Sequence, residues 1–295
     1  MTFRVTLHSM LVLGGAAFLL VAEGAIADVQ GPAPKCFGEA ATIVGSPAHD
    51  VIHGTDGRDV IVTGRGFDEV HGGGGNDRIC ARRGGDDLYG GGGDDRLAAG
   101  RDGFVSDGDY PTPDLLVGGR GNDVLNGGPG LNKTGRGQGD LVDYHGSPRA
   151  VSLDLATGVA RIGASRDTLV SVEAVDGSAY ADHLAGDRYD NALNGKEGAD
   201  ELHGRSGRDV LIGSAGSDTI YGGPAYDIVA GYSGPDRLLA GSGADEVYGD
   251  HGNDMLAGGD GDDRLVGYEG RDFADGGSDR RFDICSAERE TACER

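Results

Sequence analysis

The chain has no tryptophan, seven phenylalanines and three methionines in 295 residues. A core built on large rings is therefore excluded, and the aromatic platforms that line carbohydrate grooves are scarce. Cysteine is limited to four residues, too few for a disulfide-dense scaffold. Positive charge is also short, with 26 Lys and Arg against 49 Asp and Glu and a formal net charge of −23. Such a surface repels phosphate, so no nucleic-acid partner is expected. The one long apolar run, Leu11–Ala22, is short for a membrane span. Catalytic signatures are missing as well. There is no G-x-S-x-G, no H-E-x-x-H and no EF-hand loop, and Gly195-Lys196 lacks the upstream glycine of a phosphate-binding loop. Histidines are scattered, and His53, His71 and His203 fall where side chains are expected to face solvent.

Glycine is what the chain has in excess, 58 residues of it, and it recurs with a period of nine. Nonapeptides cut from Gly177 onward put Asp182, Asn191, Asp200, Asp209, Asp218, Asp227, Asp236, Asp245, Asp254, Asp263 and Asp272 at position 6. Position 8 is then Leu184, Leu193, Leu202, Leu211, Ile220, Val229, Leu238, Val247, Leu256, Leu265 and Ala274. The same frame fits Gly45–Ala98, with Asp50, Asp59, Asp68, Asp77, Asp86 and Asp95 at position 6. It continues less regularly to Asp143, through Asp123 and Asn132 and past an insertion near Ala99–Gly108. A short repeat of this kind sets the architecture before any other reading begins.

Each copy pairs six residues of turn chemistry with three of strand chemistry. Glycine permits positive φ in the turn and lets carbonyls point inward. In the strand the middle side chain faces one way and its neighbours the other, so one aliphatic residue per copy enters a core. Pro47, Pro111, Pro113, Pro129, Pro224 and Pro235 all fall at turn positions. None is expected in a strand, where proline lacks the ladder's N–H.

Copies such as Gly72-Gly73-Gly74-Gly75-Asn76-Asp77-Arg78-Ile79-Cys80 and Gly258-Gly259-Asp260-Gly261-Asp262-Asp263-Arg264-Leu265-Val266 resemble the RTX, or haemolysin-type, calcium-binding repeats. The resemblance covers roughly two thirds of the chain. It implies an all-β fold, a parallel β-roll in which two nonapeptides make one coil and Ca²⁺ sits between stacked turns. Carried onto this chain, the implied side-chain ligands are Asp59, Asp68, Asp77, Asp86, Asp95, Asp123, Asp200, Asp209, Asp218, Asp236, Asp245, Asp254, Asp263 and Asp272. The implied glycine carbonyl donors include Gly72, Gly73, Gly75, Gly90, Gly91, Gly93, Gly118, Gly119, Gly121, Gly258, Gly259 and Gly261. Asp200, Asp218, Asp236, Asp254 and Asp272 fall on one edge of the roll, with Asp209, Asp227, Asp245 and Asp263 on the other. The turns at Gly127 (Pro129, Asn132), Gly186 (Tyr189, Asn191) and Gly222 (Pro224, Ala225) depart from the pattern, and empty sites are expected there.

Multiple Ca²⁺ ions are the expected cofactor, because the periodic side chains offer oxygen rather than thiolate or imidazole. Carbonyl-rich turns suit Ca²⁺ better than the smaller, more rigidly octahedral Mg²⁺. Stacked aspartates repel, and one aliphatic per nine residues is a thin core. The calcium-free chain is therefore expected to be largely disordered and the bound chain folded.

The remaining segments frame the two repeat blocks, 45–143 and 177–275. Residues 1–27 read as a signal peptide, with Arg4, the apolar run and Ala25-Ile26-Ala27 as cleavage site. A secreted, extracellular protein with no membrane span after processing is expected. Segments 28–44 and 276–295 read as caps, which solenoids need. Four cysteines allow three pairings, of which Cys36–Cys80 with Cys285–Cys293 would staple both ends. Segment 144–176 breaks the frame. Its alternation at Val151–Leu155 and Leu169–Val175, around Thr157-Gly158, reads as a β insertion or bridging coil. No segment outside the repeats has the length of a usual catalytic domain. The expected function is calcium binding with a structural or interaction role, toward an extracellular protein or surface partner. The alternative is a carbohydrate-active enzyme or adhesin using the solenoid surface. Two carboxylates in a groove, outside position 6, would mark the enzyme.

Overall fold

The structure, a computed structural model, describes residues 32–104, 111–129, 139–277, 284–286 and 289–291. The expected signal peptide lies outside the described residues, as does any Cys285–Cys293 bridge, because Cys293 does. Among the described residues every regular element is a β-strand. No helix there is long and apolar enough to cross a membrane.

Successive strands alternate between two parallel sheets, of fifteen and twelve strands among the described residues. Arg78–Cys80 lies in the first, and Glu69–Gly74 before it and Asp87–Gly92 after it lie in the second. Glu69 pairs with Asp87 and Val210 with Ile228, so the chain returns to the same sheet after two nonapeptides. That 18-residue coil is the one the repeat implies. The middle residue of each strand points between the sheets. Ile52, Val70, Leu88, Leu116, Leu193, Leu211, Val229 and Leu265 from one sheet meet Ile61, Ile79, Leu97, Leu125, Leu202, Ile220, Leu238 and Leu256 from the other. All belong to one core cluster running from Ile43 to Ala274.

The strands are longer than the three residues expected. Glu69–Gly74, Asp87–Gly92, Val210–Gly216 and Glu246–Gly252 run into their turns. The cause is the exact repeat length: with coils in register, turn amides face turn amides, and Gly73 pairs with Gly91 and Gly223 with Gly241. Proline is therefore not confined to unpaired turns, contrary to expectation. Pro224 ends the strand Thr219–Pro224 opposite Ser242, and the Ala225 N–H donates to Ser242 O at 2.7 Å. Pro111 pairs with Phe104 in a short antiparallel ladder.

The frame break at 144–176 does not divide the molecule. The twelve-stranded sheet passes from Leu115–Arg120 through Leu141–Asp143 and Ala174–Asp176 to Ala192–Gly198. The fifteen-stranded sheet crosses by a meander, Ser165–Val170, Val159–Ile162 and Val151–Asp154, whose middle strand runs antiparallel to both neighbours. Both blocks thus form one roll. The sequence reading placed Val151–Asp154 but ran Leu169–Val175 together where the structure has two strands in different sheets, Ser165–Val170 and Ala174–Asp176, and it missed Val159–Ile162, whose buried Ala160 is too small to register as a strand's core residue. Arg205 ties the meander to the second block through Asp154, with both nitrogen–oxygen contacts at 2.9 Å.

At the N-terminal end Cys36 and Cys80 form a disulfide, as expected. They join a small cluster with Ala41, Val60 and Val62. Glu39 adds ion pairs to Arg58 and to Arg78, the latter at 3.0 Å.

Candidate metal-binding turns

The position-6 aspartates form two ladders, one along each edge of the roll. In each step the backbone N–H of one aspartate donates to Oδ1 of the aspartate one coil further on. Asp77 donates to Asp95 at 2.8 Å and Asp95 to Asp123 at 2.8 Å. In the second block Asp182, Asp200, Asp218, Asp236, Asp254 and Asp272 continue that edge. The other edge runs Asp50, Asp68, Asp86, Asp114, Asp140 and, after the meander, Asn191, Asp209, Asp227, Asp245, Asp263. The edges assigned from the repeat frame are those observed. These side chains are buried, with Asp86 and Asp227 wholly so.

Oδ1 serves the ladder, which leaves Oδ2. It is buried and accepts no hydrogen bond in Asp77, Asp86, Asp95, Asp123, Asp200, Asp209, Asp218, Asp227, Asp236, Asp245 and Asp254. A buried anionic oxygen left without a partner costs several times a made hydrogen bond, so its recurrence along both edges marks a missing positive charge. The surroundings are oxygen-rich. A Cβ placed on Gly72 would lie 2.5 Å from Asp77 Oδ2 and 2.6 Å from the Gly90 carbonyl oxygen of the next coil. Gly90 stands in the same relation to Asp95 and Gly118, and Gly204 to Asp209 and Gly222. Carboxylate and carbonyl oxygens around a hollow that only glycine leaves open are the donor set of a hard cation such as Ca²⁺. The turn glycines named from the repeat lie here: Gly72, Gly90, Gly118 and Gly258 line the hollow under Oδ2. Gly73, Gly75, Gly91, Gly93, Gly119, Gly121, Gly259 and Gly261 hold the positive φ that bends the turn.

Charge accumulates along the ladders. Burial pushes the carboxyls of Asp86, Asp123, Asp200, Asp209, Asp227 and Asp236 up to about 7, and those of Asp95 and Asp245 to about 6. Ladder N–H groups oppose the shift, and neighbouring carboxylates add to it. These eight carboxyls thus hold their protons to higher pH than an ordinary aspartate wherever no cation supplies the counter-charge.

Five turns solve the same problem with protein donors. Asp50 Oδ2 accepts from the Ser46 N–H at 2.6 Å and hydroxyl at 3.0 Å. Asp59 Oδ2 accepts from the Thr55 N–H at 2.7 Å and hydroxyl at 2.8 Å. Ser178 caps Asp182 likewise, through its N–H to Oδ2 and its hydroxyl to Oδ1. Asn191 Oδ1 accepts from the Asp187 N–H at 2.7 Å. The fifth lies outside the repeats: Asp167 takes the Asp123 N–H on Oδ1 and the Tyr144 hydroxyl, 3.1 Å away, on Oδ2. These capped turns sit at the start of each block and at the meander. Ser or Thr at position 2, in place of a residue with positive φ, was the readable signal for Asp50, Asp59 and Asp182, and the asparagine itself for Asn191; Asp167 had none, because its coil lacks the repeat.

Against the residues named from sequence, Asp59 differs, since its second oxygen is already occupied by Thr55. Asp68 is intermediate, with the Gly64 N–H at 3.4 Å from Oδ2. Asp227 was set aside for its Pro224-Ala225 turn, yet its carboxylate is placed as its neighbours are, with Ala225 taking φ 89° where glycine usually stands. The Gly127 turn closes differently from the frame. Asp140, not Asn132, brings Oδ2 under Gly127 and joins the ladder, and Val142 fills that coil's core position. Eight extra residues fit because the ladder needs only the turn's first glycine and last aspartate.

The description of the RTX calcium-binding nonapeptide repeat matches the chain at 40–70, 53–88, 71–103, 112–133, 176–211, 194–229, 221–256, 230–265 and 248–281, together well over half its length. No curated protein matches the chain.

Proposed function

The chain belongs to the RTX calcium-binding nonapeptide-repeat family, and on that premise we propose that its aspartate turns bind several Ca²⁺ ions and that this binding drives the roll to fold. The observation that carries the reading is the row of buried Oδ2 atoms with no protein donor. Asp77, Asp86, Asp95, Asp123, Asp200, Asp209, Asp218, Asp227, Asp236, Asp245 and Asp254 would supply them, with Asp68, Asp263 and Asp272 in equivalent turns and Asp59 left out. The bound ion would supply counter-charge and bridge successive coils. The chain's own part is to hold one carboxylate per turn, keep side chains out of the hollow at glycine, and seal the core with one aliphatic per strand. Secretion fits a disulfide at Cys36–Cys80, a bond of oxidising compartments, and the N-terminal segment read above. A structural or interactive role is favoured over sugar cleavage, which requires an acid pair. A 740 Å³ groove between the meander and the first block includes Asp143 as its sole carboxylate, a 760 Å³ cavity near Arg65 and Arg83 includes none, and a 370 Å³ one near Arg58 and Arg96 includes Asp77, Asp94 and Asp95, of which Asp94 alone lies outside the ladder.

The test is far-ultraviolet circular dichroism of the mature chain titrated with Ca²⁺, with Mg²⁺ as control. A cooperative rise in β signal with Ca²⁺ alone is expected. A β signal indifferent to chelator would refute calcium-driven folding and leave the aspartates as turn formers.

A further inference from the structure

We propose that His183, Glu201 and His203 form a second kind of metal site, away from the turns, that takes a divalent transition cation of the zinc class on the outer face of the fifteen-stranded sheet. His183 and Glu201 are register partners on adjacent parallel strands, His183–Ala185 and Glu201–His203. Glu201 and His203 are two residues apart on one strand and so share a face. One ligand atom from each residue lies within 4.8 Å of the other two, the one such trio of His, Cys, Asp and Glu among the described residues. Glu201 stands between the rings, with Oε2 3.3 Å from His183 Nδ1 and Oε1 2.8 Å from His203 Nε2.

An ordinary surface explanation is that histidines simply stack along the coil axis. That is what happens elsewhere. His53, His71 and Tyr89 stack nearly face to face, with centroids 4.9 and 4.6 Å apart and interplanar angles of 20° and 6°. Parallel rings aim their nitrogens side by side, and Glu69 reaches only His71. At the second cluster the rings are inclined by 59°, with centroids 5.3 Å apart. The inclined rings bring one nitrogen of each within 4.8 Å of the other and of a Glu201 oxygen. Tyr221, stacked on His203 at 4.6 Å and 11°, holds that ring from the far side.

Two imidazole nitrogens and one carboxylate oxygen suit zinc-class cations and not Ca²⁺. Tetrahedral zinc, with ligands near 2.0–2.2 Å, needs donor atoms roughly 3.3 Å apart. The His183 Nδ1–Glu201 Oε2 contact is at that value, and one ligand atom from each of the three partly exposed residues lies within 4.8 Å of the others. The fourth position opens to solvent and takes water. The site shares no ligand with the aspartate ladders, and it needs only the folded sheet, whatever drives folding.

The experiment uses the whole chain in saturating Ca²⁺, with folding read separately by circular dichroism in the same samples. A failure of calcium-driven folding is then not mistaken for a failure of this site. Zn²⁺ binding is measured by calorimetry, and Co²⁺ serves as a spectroscopic probe. One equivalent of Zn²⁺ is expected, with visible Co²⁺ absorption typical of a low-coordinate nitrogen–oxygen site. His183→Ala and His203→Ala should each weaken Zn²⁺ binding about tenfold or more with the dichroism unchanged, and His71→Ala should leave it intact. The proposal is overturned if folded protein takes up no Zn²⁺, if both single variants bind as the parent does, or if His71→Ala weakens binding equally.

Discussion

Backbone conformation at two turn positions decides how the coils nest. Positions 2 and 4 of most turns have positive φ, and position 4 is almost always glycine. A Cβ on Gly216, at φ 153°, would collide with the Gly198 carbonyl oxygen of the preceding coil. Position 2 tolerates other residues: Lys196, Arg205, Ser214, Tyr232, Asp250 and Tyr268 all adopt positive φ there, a conformation that penalises non-glycine residues by roughly 1–2 kcal/mol each. Ala225 is the exception at position 4, at φ 89°. Gly216→Ala should therefore destabilise the calcium-saturated protein by several times RT, whereas Ala225→Gly should stabilise it by up to about 1 kcal/mol. Denaturant unfolding at fixed free Ca²⁺ measures both, and equal effects of like sign would contradict this account of the turn.

At the scale of the turn, the same aspartate in the same ladder has two fates. Where Ser46, Thr55 or Ser178 donates to the carboxylate, the turn is closed by protein alone. Where position 2 swings to positive φ, its donor is carried away. Ser214 illustrates this: its hydroxyl donates to Asn194 Oδ1 instead of to Asp218. A serine or threonine at position 2 is thus a cap only in the right backbone state. Asp77→Asn and Asp59→Asn separate the two kinds of turn. The first should lower the number of Ca²⁺ ions bound, read by calorimetry or native mass spectrometry, and the second should leave that number unchanged. Loss of an ion in both would place a cation at the Thr55 turn and refute the distinction.

Over the whole molecule the ladders couple folding to protons. In the metal-free roll, Asp86, Asp123, Asp200, Asp209, Asp227 and Asp236 titrate near 7, against 3.8 for an unperturbed side chain. The folded state then holds protons that the unfolded chain has released, so the metal-free roll loses stability as pH rises from about 4 to about 7. Acid should restore β structure to calcium-stripped protein, and the dichroism should fade as pH passes 6 to 7. Calcium displaces those protons, so its apparent affinity should fall as pH drops below 7. A stripped protein whose β content rises with pH would reverse the sign and remove burial as the cause. Because both sheets cross the meander unbroken, these ladders belong to one roll and not to two independent blocks.

The sequence alone determined the nine-residue unit and the core residue of each regular repeat, while its resemblance to the RTX repeats supplied the two-repeat coil and the edge on which each repeat aspartate stands. The first two follow from a strict period, since a unit that keeps its aliphatic residue inside puts it at the same position in every regular copy. It could not determine which aspartates keep an open oxygen. That depends on whether a hydroxyl at position 2 or a distant tyrosine, Tyr144 for Asp167, reaches the carboxylate, and both are matters of backbone state and of contacts between coils. Nor did it foresee Asp140 closing the Gly127 turn or His183 meeting His203 across two strands. Those pairings join residues whose spacing breaks the period, and only the stacked coils bring them into reach.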